Sequence, residues 1–180
     1  MPRETYSAAV AIESLEHSSG LRATLANLGG ALRDGATLVV VTDLLSAREE
    51  SAARRGDPRK RNLRLYSRHW CGPQAASWAP PATRSTWEAD LAAASLDLVM
   101  RTDLSSRLYA RPRSVLAIYL ELLLALHHST SWLRLPTTAM HLSTQIGGVA
   151  RELLLHDESI EYTFLVARRR PPTLARALEQ

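Results

Sequence analysis

The sequence predicts an α/β fold built on a parallel sheet, and three observations carry that expectation. An apolar segment, Tyr6 to Ile12, and a β-branched one, Thr37 to Thr42, flank a stretch with helical periodicity. A strand–helix–strand crossover of that length is right-handed and sets the two strands parallel in one sheet. A last alternating segment, Ile160 to Ala167, adds a strand late in the chain. The 180 residues suit one domain with one core.

The elements follow in order. Tyr6 to Ile12 (YSAAVAI) is continuously apolar and stops at the polar cluster Glu13-Ser14-Leu15-Glu16-His17, which suggests a strand buried on both faces. Ser18 and Ser19 offer capping hydroxyls to a helix whose Leu21, Leu25, Leu28 and Leu32 trace one face, weakened near its end by Gly29 and Gly30. Asp34-Gly35 predicts a turn before the strand Thr37 to Thr42. The C-terminal ends of the two strands, near Glu13 and Asp43, then face one sheet edge, and open α/β sheets bind ligands at that edge. Residues 48–68 read as one basic loop, and Trp70 to Pro81 carries too many breakers for a regular element. A helix from Ser85 to Ala94, capped by Thr83 or Ser85, leads to a third strand, Leu96 to Arg101. Arg113 to His128 is a strongly apolar helix and Thr130 to Ser143 an irregular linker around Pro136. Gly147 to His156 follows as a helix, although its three leucines would also suit a strand.

Composition narrows the classes. With 46% hydrophobic and 22% charged residues, the chain has enough apolar material for a packed core, which excludes a disordered chain. Cys71 stands alone, so neither an internal disulfide nor a cysteine-rich zinc site can form. The net charge of +4 comes from 21 arginines and Lys60 against 18 carboxylates. The excess sits in the basic loop, where no aromatic-interleaved motif accompanies it; it reads as solvated surface, and no nucleic-acid partner is expected. The longest apolar run, Val115 to Leu126, holds 12 residues including Glu121, short of the ~20 needed to span a bilayer. The first five residues show no signal sequence, so the expected compartment is the cytoplasm.

Four segments, YSAAVAIESLEHSS, LRDGATLVVVTD, STWEADLAAASLDLVMRTDLS and IEYTFLVARRRPP, taken in order resemble the class I S-adenosylmethionine-dependent methyltransferases, nearest to the small-molecule "type 11" group. The first is similar to that family's E-x-x-E-H stretch, here Glu13, Glu16 and His17. The family's Pro-Gly-Gly turn is replaced by Arg33-Asp34-Gly35. Its W-x-x-x-L-x-x-A-G-[LF] segment is matched by Trp87 to Leu96, with Ser95 where glycine is common, and its final Y-x-F-L-V-A-R segment by Tyr162 to Pro171. None of the eight glycines forms a G-x-G, and the resemblance starts at the family's fourth strand. It implies a Rossmann-like methyltransferase sheet lacking its N-terminal strands and glycine-rich cofactor loop, with a helical cap insertion. Residues 1–172 are then the C-terminal part of a methyltransferase domain, about 104–144 its cap, and 173–180 a tail.

The resemblance also implies a chemistry: methyl transfer from S-adenosylmethionine to a small molecule, apolar if aromatic side chains wall its pocket. Glu13 and His17 are the candidate catalytic residues, Glu13 and Ser14 the candidate cofactor contacts. Asp43, Trp70, Tyr119 and Trp132 are the candidate acceptor-binding residues. Glu13 also has an ordinary reading, as a carboxylate at a helix start. No metal is expected, but Glu13, Glu16 and His17 would share one side of a helix that began early and could then hold Mg²⁺ or Mn²⁺. His69, His127, His128 and His141 read as surface or packed residues, and the aromatic residues suit core packing equally well. No hydrolase elbow, zincin or Walker motif occurs. The alternative to an enzyme is a non-catalytic methyltransferase-like remnant that binds another protein. In either case an unguarded first strand predicts self-association of the isolated chain, and the lack of the family's cofactor anchors predicts little methyl transfer by it.

Overall fold

A computed structural model describes residues 4–18, 20–46, 59–71, 82–108, 111–133 and 135–171. The chain forms β1 (Tyr6–Ile12), a 3₁₀ turn at Leu15–His17, α1 (Leu21–Ala31) and β2 (Leu32–Leu45). These are followed by α2 (Arg59–His69), α3 (Arg84–Ala93), β3 (Leu96–Asp103), α4 (Arg113–Trp132), α5 (Pro136–His156) and β4 (Ile160–Arg169). The strand order is β1-β2-β4-β3; β1 runs parallel to β2, and β3 pairs antiparallel with β4. The α/β class expected from the sequence is the observed one. Residues cluster into two compact units, one of 1–43, 84–103 and 163–180, the other of 44–83 and 104–162.

The first unit holds most of the sheet with α1 and α3. Leu25, Leu38, Leu91, Leu96 and Trp87 are buried in it, each removing apolar surface worth roughly 1.5–3 kcal/mol. β1 departs from the expectation of burial on both faces. It is an edge strand, Ala11 is buried, and Val10 and Ile12 on the other face are 65% and 61% exposed. A serine side chain does not cap α1 as expected. Gly20 holds the N-cap position, and Ser18 Oγ instead accepts the Gly20 N–H at 3.2 Å and bonds the Thr24 hydroxyl at 2.6 Å. The expected turn at Asp34-Gly35 lies inside β2. Pairing jumps from Tyr6–Leu32 to Ala8–Thr37, so the strand starts early and bulges, with Gly35 at φ +71° where a side chain would be strained.

The turn between α3 and β3 explains the matched tryptophan segment. Ser95, at the position where the family commonly has glycine, adopts φ +57°, a left-handed conformation that glycine takes without strain. Its carbonyl accepts the Arg170 N–H at 2.9 Å, and Arg169 Nη1 donates to the Ala94 carbonyl at 2.8 Å, satisfying an acceptor at the end of α3. Arg170 also pairs with Asp97. The basic run at the end of β4 therefore fastens the antiparallel β3–β4 pair to the end of α3.

The second unit is helical, and two expectations fail there. The basic stretch is not all loop: α2 begins at Arg59 and buries Leu63, Tyr66 and Ser67 while keeping Arg61, Arg64 and Arg68 outside. The expected linker from Thr130 to Ser143 is largely helix, because Pro136 occupies the first turn of α5, where its missing N–H costs nothing. α5 packs on two sides. Ala150 and Leu154 join Leu63, Tyr66 and Ile160, whereas Ile146, Val149 and Leu153 join Leu116, Leu120 and Leu123 of α4. Gly147 permits this. A Cβ there would lie 2.7 Å from the His69 carbonyl carbon and the Trp70 nitrogen, so only a glycine lets α5 close on the end of α2. The expected tail and most of the breaker-rich segment, residues 72–81, lie outside the described residues.

Candidate functional site

The parallel strands β1 and β2 end together, and the chain beyond β1 turns sharply. Glu13 has φ +47°, and its N–H donates to the Val41 carbonyl at 2.9 Å, continuing the ladder one residue past the strand. The 3₁₀ turn then brings Glu16 back over the end of β2. Thr42 Oγ1 donates to Glu16 Oε2 at 3.2 Å. Glu16 Oε1 is buried and has no hydrogen-bond partner among the described residues. Asp43 is 3% exposed beside them.

This arrangement perturbs one carboxyl. Burial raises the pKa of Glu16, and the neighbouring Asp43 raises it further, against the lowering effects of its backbone hydrogen bond, the Thr42 hydroxyl and His17. A carboxyl whose pKa is raised, with one oxygen uncommitted, can pass a proton to or from a reacting group. Sequence reasoning placed its weight elsewhere. His17 and Ser14 are exposed, and Glu13 is half-buried. The three residues Glu13, Glu16 and His17 do not share a helical face, since a left-handed residue and a 3₁₀ turn separate them from α1, which starts at Leu21. Among the described residues no group of three or more His, Cys, Asp or Glu side chains is gathered as for a metal ion. The sequence reading weighed Glu16 only as a metal ligand and did not single out Thr42. The available signal was a Thr-Asp pair closing a buried strand beside a second glutamate.

The aromatic candidates belong to the helical unit and are not gathered there. Trp70 packs on the α2–α5 cluster, with the Arg151 guanidinium 5.3 Å from its ring centre and its Nε1 buried without a partner among the described residues. Tyr119 packs on the α4–α5 cluster. Trp132 is 81% exposed at the end of α4, where it borders an open depression of about 390 Å³ with His128, Ser129 and Leu133. Among the histidines, burial first, then His127 and Arg68, push His69 down to about 4. No helix among the described residues is long and apolar enough to cross a membrane.

Solved proteins share this fold, in which β4 lies between β2 and β3 and runs antiparallel to β3. The cyclopropane synthase MmaA2 from Mycobacterium tuberculosis superposes with a TM-score of 0.59 at 16% identity, over 93% of this chain and 56% of that one. The cyclase SpnF gives 0.56 at 18% identity, over 96% and 52%. Geranyl diphosphate C-methyltransferase from Streptomyces coelicolor A3(2), solved with Mg²⁺, geranyl-S-thiolodiphosphate and S-adenosyl-L-homocysteine, gives 0.54 at 16% identity, over 93% and 46%. The chain has the class I methyltransferase fold. It spans about half the length of these methyltransferase-fold structures. No family model and no curated protein matches the sequence.

Proposed function

We propose that this chain is the acceptor-side part of an S-adenosylmethionine-dependent methyltransferase acting on a small molecule. The observation that carries the reading is the buried, partnerless Glu16 oxygen beside Asp43 at the end of two parallel strands, the edge where open α/β sheets take their ligands. S-adenosylmethionine supplies an electrophilic methyl group on a sulfonium. The chain's residues fit one end of that cofactor: carboxylates suit a cationic neighbour, but no G-x-G loop is present for the ribose and adenine. In this reading Glu16 takes a proton from the acceptor, and Asp43, by its negative charge, keeps Glu16 basic enough to do so. Glu13 and Ser14 line the methionine end, and exposed His17 passes the proton to solvent. The remaining task is alignment, with the acceptor atom ~3–3.5 Å from the methyl carbon. Trp132, exposed beside its open depression, offers an aromatic surface of the kind that holds an apolar molecule.

The likeness to a cyclase alongside a methyltransferase means that the fold alone does not fix the reaction. A second reading is a non-catalytic module of methyltransferase fold. Photolabelling with methyl-labelled S-adenosylmethionine separates them, applied to the chain and to any longer translation product that contains it. The enzyme reading expects label on the peptide bearing Glu13 to His17 in a product that includes a cofactor loop. Absence of label from every peptide of these 180 residues would leave the non-catalytic module.

A further inference from the structure

In the helical unit, α4 is apolar on two sides and buries one of them. Leu116, Leu120 and Leu123 pack against α5, while Val115, Ile118, Leu122 and Leu126 recur at three- and four-residue steps along the exposed side, with Ile118 73% exposed. Leu133 continues this stripe one heptad further, and Ser129 between them returns its hydroxyl to the Ala125 carbonyl at 3.0 Å. The stripe runs roughly 25 Å at 1.5 Å per residue. An exposed apolar surface of that extent marks a place of contact. The arginines of α2 border it. Glu121, beside Leu122, accepts two hydrogen bonds from the Arg61 guanidinium at 2.7 and 3.0 Å, so the acid in the α4 sequence is neutralised. Arg61, Arg64 and Arg68, three and four residues apart, are exposed along one face of α2, whose sequence contains no acid.

We propose that this surface, the apolar stripe of α4 bordered by the arginines of α2, lies on a bilayer that contains anionic lipid. The aliphatic side chains of the stripe enter the boundary between headgroups and acyl chains, and the arginines meet the negative headgroups at its border. Trp132, 81% exposed at the end of α4, has the amphipathic ring that settles at headgroup level. Because Leu116, Leu120 and Leu123 are committed to α5, α4 lies in the plane of the membrane surface and enters it only by its outer side chains. Charge favours this occupant over a second copy of the chain. A two-fold pairing of stripes brings α2 of one molecule beside α2 of the other and opposes their arginines, whereas an anionic surface attracts every one of them. The attachment is independent of the methyl-transfer reading.

Flotation of the 180-residue chain with phosphatidylcholine vesicles, with and without phosphatidylserine, tests this, since lipid-free aggregates stay at the bottom of the gradient. The chain should float with the anionic vesicles, stay below with phosphatidylcholine alone, and be released as salt is raised. Ile118→Asn combined with Leu122→Asn should weaken binding about tenfold, and Arg68→Gln about fivefold. Val10→Asn, on the exposed face of β1, should float as the wild type does. Should the double variant fail to fold, Arg68→Gln and the salt series decide. A wild-type chain that stays below with anionic vesicles, or equal flotation of every variant, would overturn the proposal. A double variant that loses self-association in lipid-free buffer but still floats would give the stripe to a second copy. A longer natural translation product that no longer floats would give it to the rest of that product.

Discussion

Replacing Glu16 by glutamine separates what the residue does for folding from what it does for function. The carboxyl is buried, one oxygen accepts from Thr42 at 3.2 Å and the other has no partner, with Asp43 close by. An unsatisfied buried polar atom costs about 1–3 kcal/mol. Glutamine keeps an acceptor for Thr42, puts an amide donor where the orphaned oxygen stood, and removes a charge that Asp43 repels. A gain of about 1 kcal/mol at neutral pH is expected, a rise of roughly 2–4 °C in melting temperature for a chain of this size. The pH dependence follows from the direction of the shift. A glutamate whose folded pKa is raised contributes stability that is fully present below the usual value of 4.5 and is lost as pH rises through the folded pKa. The advantage of Glu16→Gln should therefore vanish below pH 4.5 and grow to a plateau above the raised pKa. Urea unfolding at a series of pH values measures it. A variant less stable than wild type at pH 7, or a gain that does not change with pH, would refute the reasoning.

Other expectations follow from backbone geometry and packing. Ser95→Gly should stabilise the chain by about 0.5–1 kcal/mol in urea unfolding, because glycine relieves a φ of +57° and gives back part of that gain as unfolded-state entropy. Gly147→Ala should cost about 1–2 kcal/mol in thermal melting despite alanine's helix propensity, since the new methyl meets backbone atoms of His69 and Trp70 at 2.7 Å. The 180-residue chain should self-associate at micromolar concentration through the exposed face and free edge of β1, and Val10→Lys should lower its sedimentation coefficient toward that of a monomer. A wild-type chain already monomeric would show that this edge is harmless.

Much of the sheet was legible in the sequence because its strands carry their own signals. β-branched density marks β2, and alternation marks β4. The order of segments then pointed to the right fold. The helical unit was harder to read. α2 sits in a run so basic that charge masked the helical spacing of Leu63 and Tyr66, both buried. Pro136 suggested a break, yet a proline in the first turn starts a helix as readily as it ends one. At the strand ends, the resemblance put Glu13 and His17 forward and left Glu16 to a metal-binding alternative. A left-handed φ at Glu13 sends its side chain a different way, and burial then singles out Glu16. That choice depends on three-dimensional neighbours, Thr42 and Asp43, lying 26 and 27 positions beyond Glu16 in the sequence.

The central claim, that the ends of β1 and β2 form part of a methyltransferase's cofactor and acceptor site, meets its most direct test in calorimetric titration with S-adenosylhomocysteine. The longest natural translation product containing these 180 residues should bind one equivalent, and Asp43→Asn should weaken that binding several-fold while the protein remains folded. An absence of heat, or an affinity unchanged in Asp43→Asn and Glu16→Gln alike, would contradict the account.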